Sequence, residues 1–336
     1  MPGDRSPKGN PSFANAFWGR RGIVKSGSIW LPLAVFIALS PSSFHAESFP
    51  FALGSFIAVA GWAMVSIFVN DLADARQDRV AGKPRWICTL DLKTALGLIC
   101  LFIAAGTAGL LLFSAPQEVF GIYFISLGLG LAYSLMPFRF KSSGGWGIAA
   151  YALACVGAYV ILPGIWLRGK GFVILMLAAA VFLDKTVNLL FHQVLDHDAD
   201  RLAGVSTLAV RWGVSRSLRR MRPAAFLAAL VMLVASAVSV SGLERGGVGI
   251  LGTAAVGWIC CMILAGEKPW GSAAPSELTK KLPLFYLSST LIVFRLLPLL
   301  LLVRLSLIES AFRGLTAGAG ILIGLDVYYS YRYRLP

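Results

Sequence analysis

Long uninterrupted apolar runs constrain this chain more than any other feature. A helix that crosses the hydrocarbon of a bilayer needs about 20 mostly apolar residues. Ten runs approach that length: about 27–41, 50–70, 94–114, 118–137, 147–167, 171–193, 224–242, 246–265, 283–303 and 314–329. Within lipid the backbone satisfies its polar groups only as helices or a closed barrel. These runs are continuous rather than alternating, so helices are expected. The first and last runs are the shortest; counting all ten gives ten transmembrane helices. Composition agrees: 57% of the 336 residues are hydrophobic and 14% charged, against about 45–50% and about 25% in a soluble domain. A water-soluble globule and a disordered chain are both excluded. The expected fold class is an all-α integral membrane protein, a multi-span helical bundle over residues 27–336. It follows a tail, residues 1–26, rich in Gly, Pro, Ser and basic side chains.

The net charge is +14. In a soluble chain that excess would suggest nucleic acid, but here the basic residues sit in short connections between apolar runs, where they set membrane orientation. No nucleic-acid partner is expected, and the surrounding partner is the lipid bilayer. With a cytoplasmic N-terminus, the inside segments hold 23 Lys and Arg and the outside segments five, while Lys185 and Arg295 fall within runs. The long polar leader and the many later spans argue against a cleaved signal peptide. The five cysteines contain no C-x-x-C pair, so neither a structural zinc site nor a disulfide framework is expected.

Two acidic segments carry the chemistry. The second run ends in Asn70-Asp71-Leu72-Ala73-Asp74-Ala75-Arg76-Gln77-Asp78. On a continuing helix Asn70, Asp74 and Asp78 share a face, with Asp71 near it, and i,i+4 neighbours lie about 5–6 Å apart at Cβ. The sixth run ends in Asp196-His197-Asp198-Ala199-Asp200-Arg201. Upstream of it, Asp184, Asn188 and His192 continue the four-residue spacing inside an apolar helix, with Lys185 beside them. Such a polar stripe normally faces a bundle interior or a water-filled cavity. We therefore expect Asp184, Lys185, Asn188, His192 and Arg201 to border substrate. Carboxylates this close repel one another, and a divalent cation relieves the repulsion. Carboxylate and phosphate oxygens are the usual ligands of Mg²⁺. Two clusters facing one cavity would hold Mg²⁺ around a diphosphate, assisted by Arg76, Arg79, Lys83, Arg85 and Arg201. A single D-x-x-x-D at a span end reads as a solvated boundary, but two such clusters, each following intramembrane polar residues, do not.

The sequence here resembles the UbiA superfamily of intramembrane prenyltransferases. Asn70-Asp71-x-x-Asp74-x-x-x-Asp78 matches the first aspartate-rich motif of that superfamily. Asp196-x-x-x-Asp200, followed by Gly204, Thr207, Leu208, Ala209, Val210 and Gly213, is similar to its second motif and tail. Tyr133-Ser134-x-x-Pro137-x-Arg139-x-Lys141 is similar to the segment after the family's fourth helix. The resemblance implies a bundle around a central cavity with a lateral opening, and Mg²⁺-dependent ionisation of an isoprenyl diphosphate. A hydrophobic or aromatic acceptor would then attack the carbocation. By the same resemblance Asn70, Asp71, Asp74 and Asp78 would bind the first metal and diphosphate, and Asp196 and Asp200 the second metal. Arg76 and Lys83 would meet phosphate, Tyr133 would border the reacting carbon, and Arg139 and Lys141 would hold diphosphate or orient their loop. A bacterial inner-membrane location is expected, with both acidic motifs on the cytoplasmic side. Members of that family commonly have nine spans against the ten runs here, so nine or ten transmembrane helices are expected, with either one C-terminal run not a true span or the tail elaborated. Two further departures stand out. The chain reads Lys83-Pro84-Arg85-Trp86 where the family often continues Arg-Pro, which weakens a role for Arg85, and Ile29-Trp30-Leu31-Pro32 lacks the polar residue often found near the acceptor.

Three other activities stay open at this point. A terpene cyclase would use the same ionisation without an acceptor. A phosphoribosyl transferase would take phosphoribosyl diphosphate as donor and a polyprenyl phosphate as acceptor. A transporter would use Asp184, Lys185, Asn188 and Arg295 as a path, but has no need of two diphosphate-type motifs. Gly144-Gly145-Trp146-Gly147 reads as a turn before the next span, and His197 as a loop residue rather than a metal ligand.

Overall fold

The computed structural model describes residues 49–80, 85–240, 245–266, 285, 288–308, 313–314, 316–318 and 320–321. Runs 27–41 and most of 314–329, the tail, and Lys83 lie outside the described residues. Among the described residues every regular element is helical. The long helices follow the apolar runs: α1 (Phe49–Ala73), α3 (Leu92–Leu112), α4 (Gln117–Ser134), α7 (Gly171–Leu195), α10 (Val214–Val240) and α11 (Arg245–Gly266). Short helices stand at the ends: α2 (Ala75–Val80), α8 (His197–Leu202) and α9 (Leu208–Trp212). The run near 147–167 is divided into α5 (Gly145–Val156), a π turn at Gly157–Ile161 and α6 (Leu162–Trp166). A second π segment, Ser288–Leu296, leads into α12 (Leu297–Ile308). Five of these stretches are long and apolar enough to cross a membrane: Phe49–Ala73, Leu92–Leu112, Gly145–Trp166, Gly171–Leu195 and Val214–Val238.

Local chemistry sets several boundaries. Asp91 caps α3, accepting from the Thr94 amide at 3.0 Å and the Thr94 hydroxyl at 2.6 Å. Thr207 caps α9 by accepting from Val210 N at 3.4 Å, and Gly213 at φ 78° separates α9 from α10. The π turn packs against α4. A Cβ on Gly157 would lie 2.1 Å from Ser126 Oγ, so a larger residue there would displace the Ser126 hydroxyl.

The helices pack in the order α3, α1, α4, α5, α7, α10, α11, with α7 and α10 in the most extensive contact. Phe68, Met64, Tyr123, Leu162 and Phe191 are fully buried. Large apolar side chains also point outward, including Leu101, Leu111, Leu112, Ile125, Leu175 and Leu230. A membrane helix shows this pattern because lipid, not water, is the outer solvent. α1 and the α5–α6 stretch are mostly buried and α3 mostly exposed, so α1 and α5 to α6 belong to the bundle interior.

Candidate active site

Each acid segment begins where a long helix passes into a short one. Asp74 stands between α1 and α2, and Asp196 between α7 and α8. The helical ladder runs through both junctions. Asp74 N bonds Asn70 O (3.0 Å) and Asp78 N bonds Asp74 O (2.8 Å), while Asp196 N bonds His192 O (3.0 Å) and Asp200 N bonds Asp196 O (2.8 Å). The i,i+4 spacing expected of the acids is therefore realised in space. The two segments also meet, because α8 packs against α2.

Positive groups fill the space around the first segment. Arg85 donates from Nε to Asp78 Oδ2 at 2.6 Å and from Nη2 to Asp78 Oδ1 at 3.1 Å. Its Nε also lies 3.6 Å from Asp71 Oδ1. Burial pulls the Arg85 guanidinium down, but the hydrogen bond to Asp78 and the fields of Asp71, Asp78 and Asp196 outweigh it and hold the group above its ordinary value. One cation thus senses acids from both segments. Asp74 faces Lys141, with Arg139 Nη2 3.8 Å away. With its amide oriented to suit its neighbours, Gln77 accepts from Arg139 Nη2 at 2.6 Å and donates to Asp74 O at 3.2 Å. Arg139 takes a left-handed backbone, φ 33° and ψ 55°, a costly conformation for a side chain with a Cβ. It folds the segment after α4 back so that Arg139 and Lys141 both reach Asp74. Ser134, at the end of α4, donates to Asn70 Oδ1 at 3.3 Å.

The second segment is held from its own tail. Thr207 donates to Asp200 Oδ2 at 3.3 Å, and Gln193 Oε1 accepts from Leu208 N at 3.2 Å. Arg211 ties this tail to the loop after α4 that carries Arg139 and Lys141, donating to Ser206 Oγ at 2.9 Å and to Ser142 O at 3.1 Å. His197 bonds its neighbour Asp198 at 2.9 Å. Along α7, Asp184 and Lys185 are buried, Asn188 is half-buried and His192 is exposed, so the polar stripe opens gradually toward the acid segments. Lys185 lies 3.3 Å from Asp184 and 5.6 Å from the centre of the Tyr159 ring. Tyr159, in the π turn, also stands edge-on to Trp62 of α1 at 5.3 Å, so it links α1 to α7. Tyr133 lies 5.6 Å from Tyr151. Arg76 and Arg201 are exposed.

The donor set is hard oxygen throughout, as Mg²⁺ prefers. Among the described residues no three His, Cys, Asp or Glu side chains form a ready-made cage. Arg85 instead occupies a point within reach of both Asp71 and Asp78.

The model of the UbiA prenyltransferase family matches residues 28–289 of the sequence. The chain belongs to this family. It is accordingly an intramembrane prenyltransferase. No curated protein sequence matches it significantly. Solved structures of other family members share its fold. A UbiA homologue from Archaeoglobus fulgidus bound to DMAPP and Mg²⁺ is 20% identical, with a TM-score of 0.56 over 83% of this chain and 96% of that one. The apo UbiA homologue from Aeropyrum pernix K1 is 18% identical, with a TM-score of 0.54 over 92% of this chain and 98% of that one. A structure described for digeranylgeranylglyceryl phosphate synthase is 16% identical, with a TM-score of 0.54 over 81% and 93% of the two chains.

Three partners in this UbiA-type site, Gln77, Ser134 and Tyr159, have no role expected from sequence. Arg85 is expected among the basic residues near diphosphate, although Trp86 after it departs from the family pattern. Gln77 stands three residues after Asp74, and Ser134 lies inside the very segment that pointed to Tyr133. Tyr159 had no local signal, since it depends on the π turn that rotates it toward α7.

Proposed function

We propose that this protein ionises an isoprenyl diphosphate with the help of Mg²⁺ and passes the prenyl group to a hydrophobic or aromatic acceptor, at the cytoplasmic face of a bacterial inner membrane. The observation that carries this reading is the meeting of α2 with α8, with Arg85 set in the combined field of Asp71, Asp78 and Asp196. The UbiA homologues from Archaeoglobus fulgidus bound to DMAPP or GPP with Mg²⁺ support the same donor class.

In this reading Asn70, Asp71, Asp74 and Asp78 hold one Mg²⁺, and Asp196 and Asp200 hold another. Mg²⁺ supplies positive charge that stabilises a departing diphosphate. Phosphate oxygens complete the coordination that the acids alone do not provide. Arg85, Arg139 and Lys141 turn from the carboxylates toward the diphosphate, and Arg76 and Lys83 add charge from the same segment. Arg201 does so from α8. The allylic C–O bond breaks heterolytically and pyrophosphate leaves with the electron pair. Tyr133 offers its ring face to the cationic carbon. The acceptor attacks that carbon and gives up a proton. Asp184, Lys185, Asn188 and His192 border the acceptor side. Ser134, by holding Asn70, and Gln77, by holding Arg139, orient the groups that touch diphosphate.

The test is a panel of prenyl diphosphates against aromatic and lipid acceptors, with products identified by mass spectrometry. An alkylated acceptor formed only with Mg²⁺ supports the reading. A cyclic hydrocarbon or alcohol from the diphosphate alone would replace it with cyclisation, and turnover only with phosphoribosyl diphosphate would replace the donor.

A further inference from the structure

The start of α10 carries charge that the site does not use. Arg216, Arg219, Arg220 and Arg222 are exposed in its first turns, and Val214–Val240 contains no Asp or Glu. At 100° per residue Arg216, Arg219 and Arg220 fall on one face, opposite the buried Ser217, Leu218 and Met221. Three features make this stripe uncompensated. Like charges at i,i+3 and i,i+4 repel one another. They sit near a helix N-terminus, where the dipole favours anions. Among the described residues none of them has an ion pair. Arg220 is nevertheless fixed in direction, its guanidinium stacked 4.0 Å over the Trp212 ring.

The stripe also has a defined height. α10 is a membrane span, so its first turns emerge at the headgroup level, and Trp212 beside them is a residue type that favours that layer. Arg211, one residue before Trp212, bonds Ser142 and Ser206. The stripe therefore lies on the same face of the membrane as the acid segments. We propose that Arg216, Arg219 and Arg220 form a docking surface for the phosphate headgroup of an anionic membrane lipid, which neutralises the three guanidiniums and seats the mouth of the bundle at the bilayer surface. The occupant is a lipid rather than free phosphate, because the apolar flank of α10 directly below, with Phe226, Leu227 and Leu230 exposed, accepts acyl chains.

The full-length protein in detergent is titrated calorimetrically with dioctanoyl phosphatidylglycerol, with dioctanoyl phosphatidylcholine as control. Each basic residue near an anionic surface is worth about fivefold, so the triple variant Arg216→Gln, Arg219→Gln, Arg220→Gln should bind phosphatidylglycerol on the order of 100-fold more weakly. The triple Arg→Lys variant, which keeps the charge, should retain most of the affinity. Equal affinity in the Gln variant overturns the proposal. So does equal binding of phosphatidylcholine, or displacement of the lipid by inorganic phosphate at matching concentration. The readout is lipid binding, so it stands or falls independently of the prenyl donor and acceptor.

Discussion

Replacing Arg85 by Gln tests the electrostatic core of the site. The Arg85 side chain is 9% exposed, and its partners Asp71 and Asp78 are 10% and 14% exposed. These are buried pairs, not surface ones. Removing one member of a buried pair leaves an uncompensated charge and costs about 3–5 kcal/mol. Here Asp78 loses both of its hydrogen bonds from Arg85 and Asp71 loses a cation 3.6 Å away, which places Arg85→Gln within that range. In EDTA the thermal unfolding midpoint should fall by roughly 5 °C. The same substitution frees Asp71 and Asp78 for metal. Saturating Mg²⁺ at about 100 times its dissociation constant returns about 2.7 kcal/mol, so Mg²⁺ should raise the midpoint of the variant more than that of the wild type. The assay is differential scanning fluorimetry of purified protein across a Mg²⁺ series. An unchanged midpoint in EDTA, or an equal Mg²⁺ shift in both proteins, would refute the reasoning.

Lys185→Met should cost about 3 kcal/mol by leaving Asp184 buried alone, and Asp184→Asn added to it should recover most of that loss in the same unfolding assay. Gly147→Ala places a Cβ 2.2 Å from Phe140 O and 2.9 Å from Phe140 C, which pushes the loop that carries Lys141 away from Asp74. It should destabilise by about 1–3 kcal/mol and raise the KM for diphosphate more than it lowers kcat. Burial and the nearby Asp71 and Asp78 push the Cys88 thiol up, and its Sγ donates to Asp71 O at 3.3 Å. A raised thiol value means that this contribution to stability is present below the ordinary value near 9 and lost as pH climbs through the folded value. Maleimide labelling of a variant retaining only Cys88 should therefore run slower in native protein than in unfolded protein at pH 7.5, and the labelling rate of the native protein should rise above pH 9.

The helices were legible because lipid demands long apolar runs, and the runs at 50–70, 94–114, 171–193 and 224–242 match α1, α3, α7 and α10 within a few residues at most ends. The exception is the start of α10, which begins at Val214 rather than 224, because its first turns are arginine-rich and still helical. The π turn at Gly157–Ile161 was not legible, since no spacing in the apolar run marks it and its neighbour Ser126 belongs to another helix. The acid faces could be read because a four-residue spacing maps directly onto one side of a helix. Which cation pairs with which acid could not. Lys141 meets Asp74 across 67 positions of sequence only because Arg139 bends the chain back, and no periodicity encodes the approach of Arg85 to Asp71 and Asp78. His192 shows the limit of periodicity in the other direction. It keeps the spacing of Asp184 and Asn188 yet is exposed, because the helix is leaving the apolar layer at that turn.

The central claim is that acids from two distant segments act on one diphosphate. Mg²⁺-dependent pyrophosphate release from a prenyl diphosphate, measured in Asp71→Asn, Asp196→Asn and the double variant, tests it most directly. Groups that act as a unit are strongly non-additive. The account predicts that each single variant loses on the order of 10³-fold in rate and that the double variant is no worse than the poorer single one. Full activity in either single variant, or losses that multiply in the double, would contradict it.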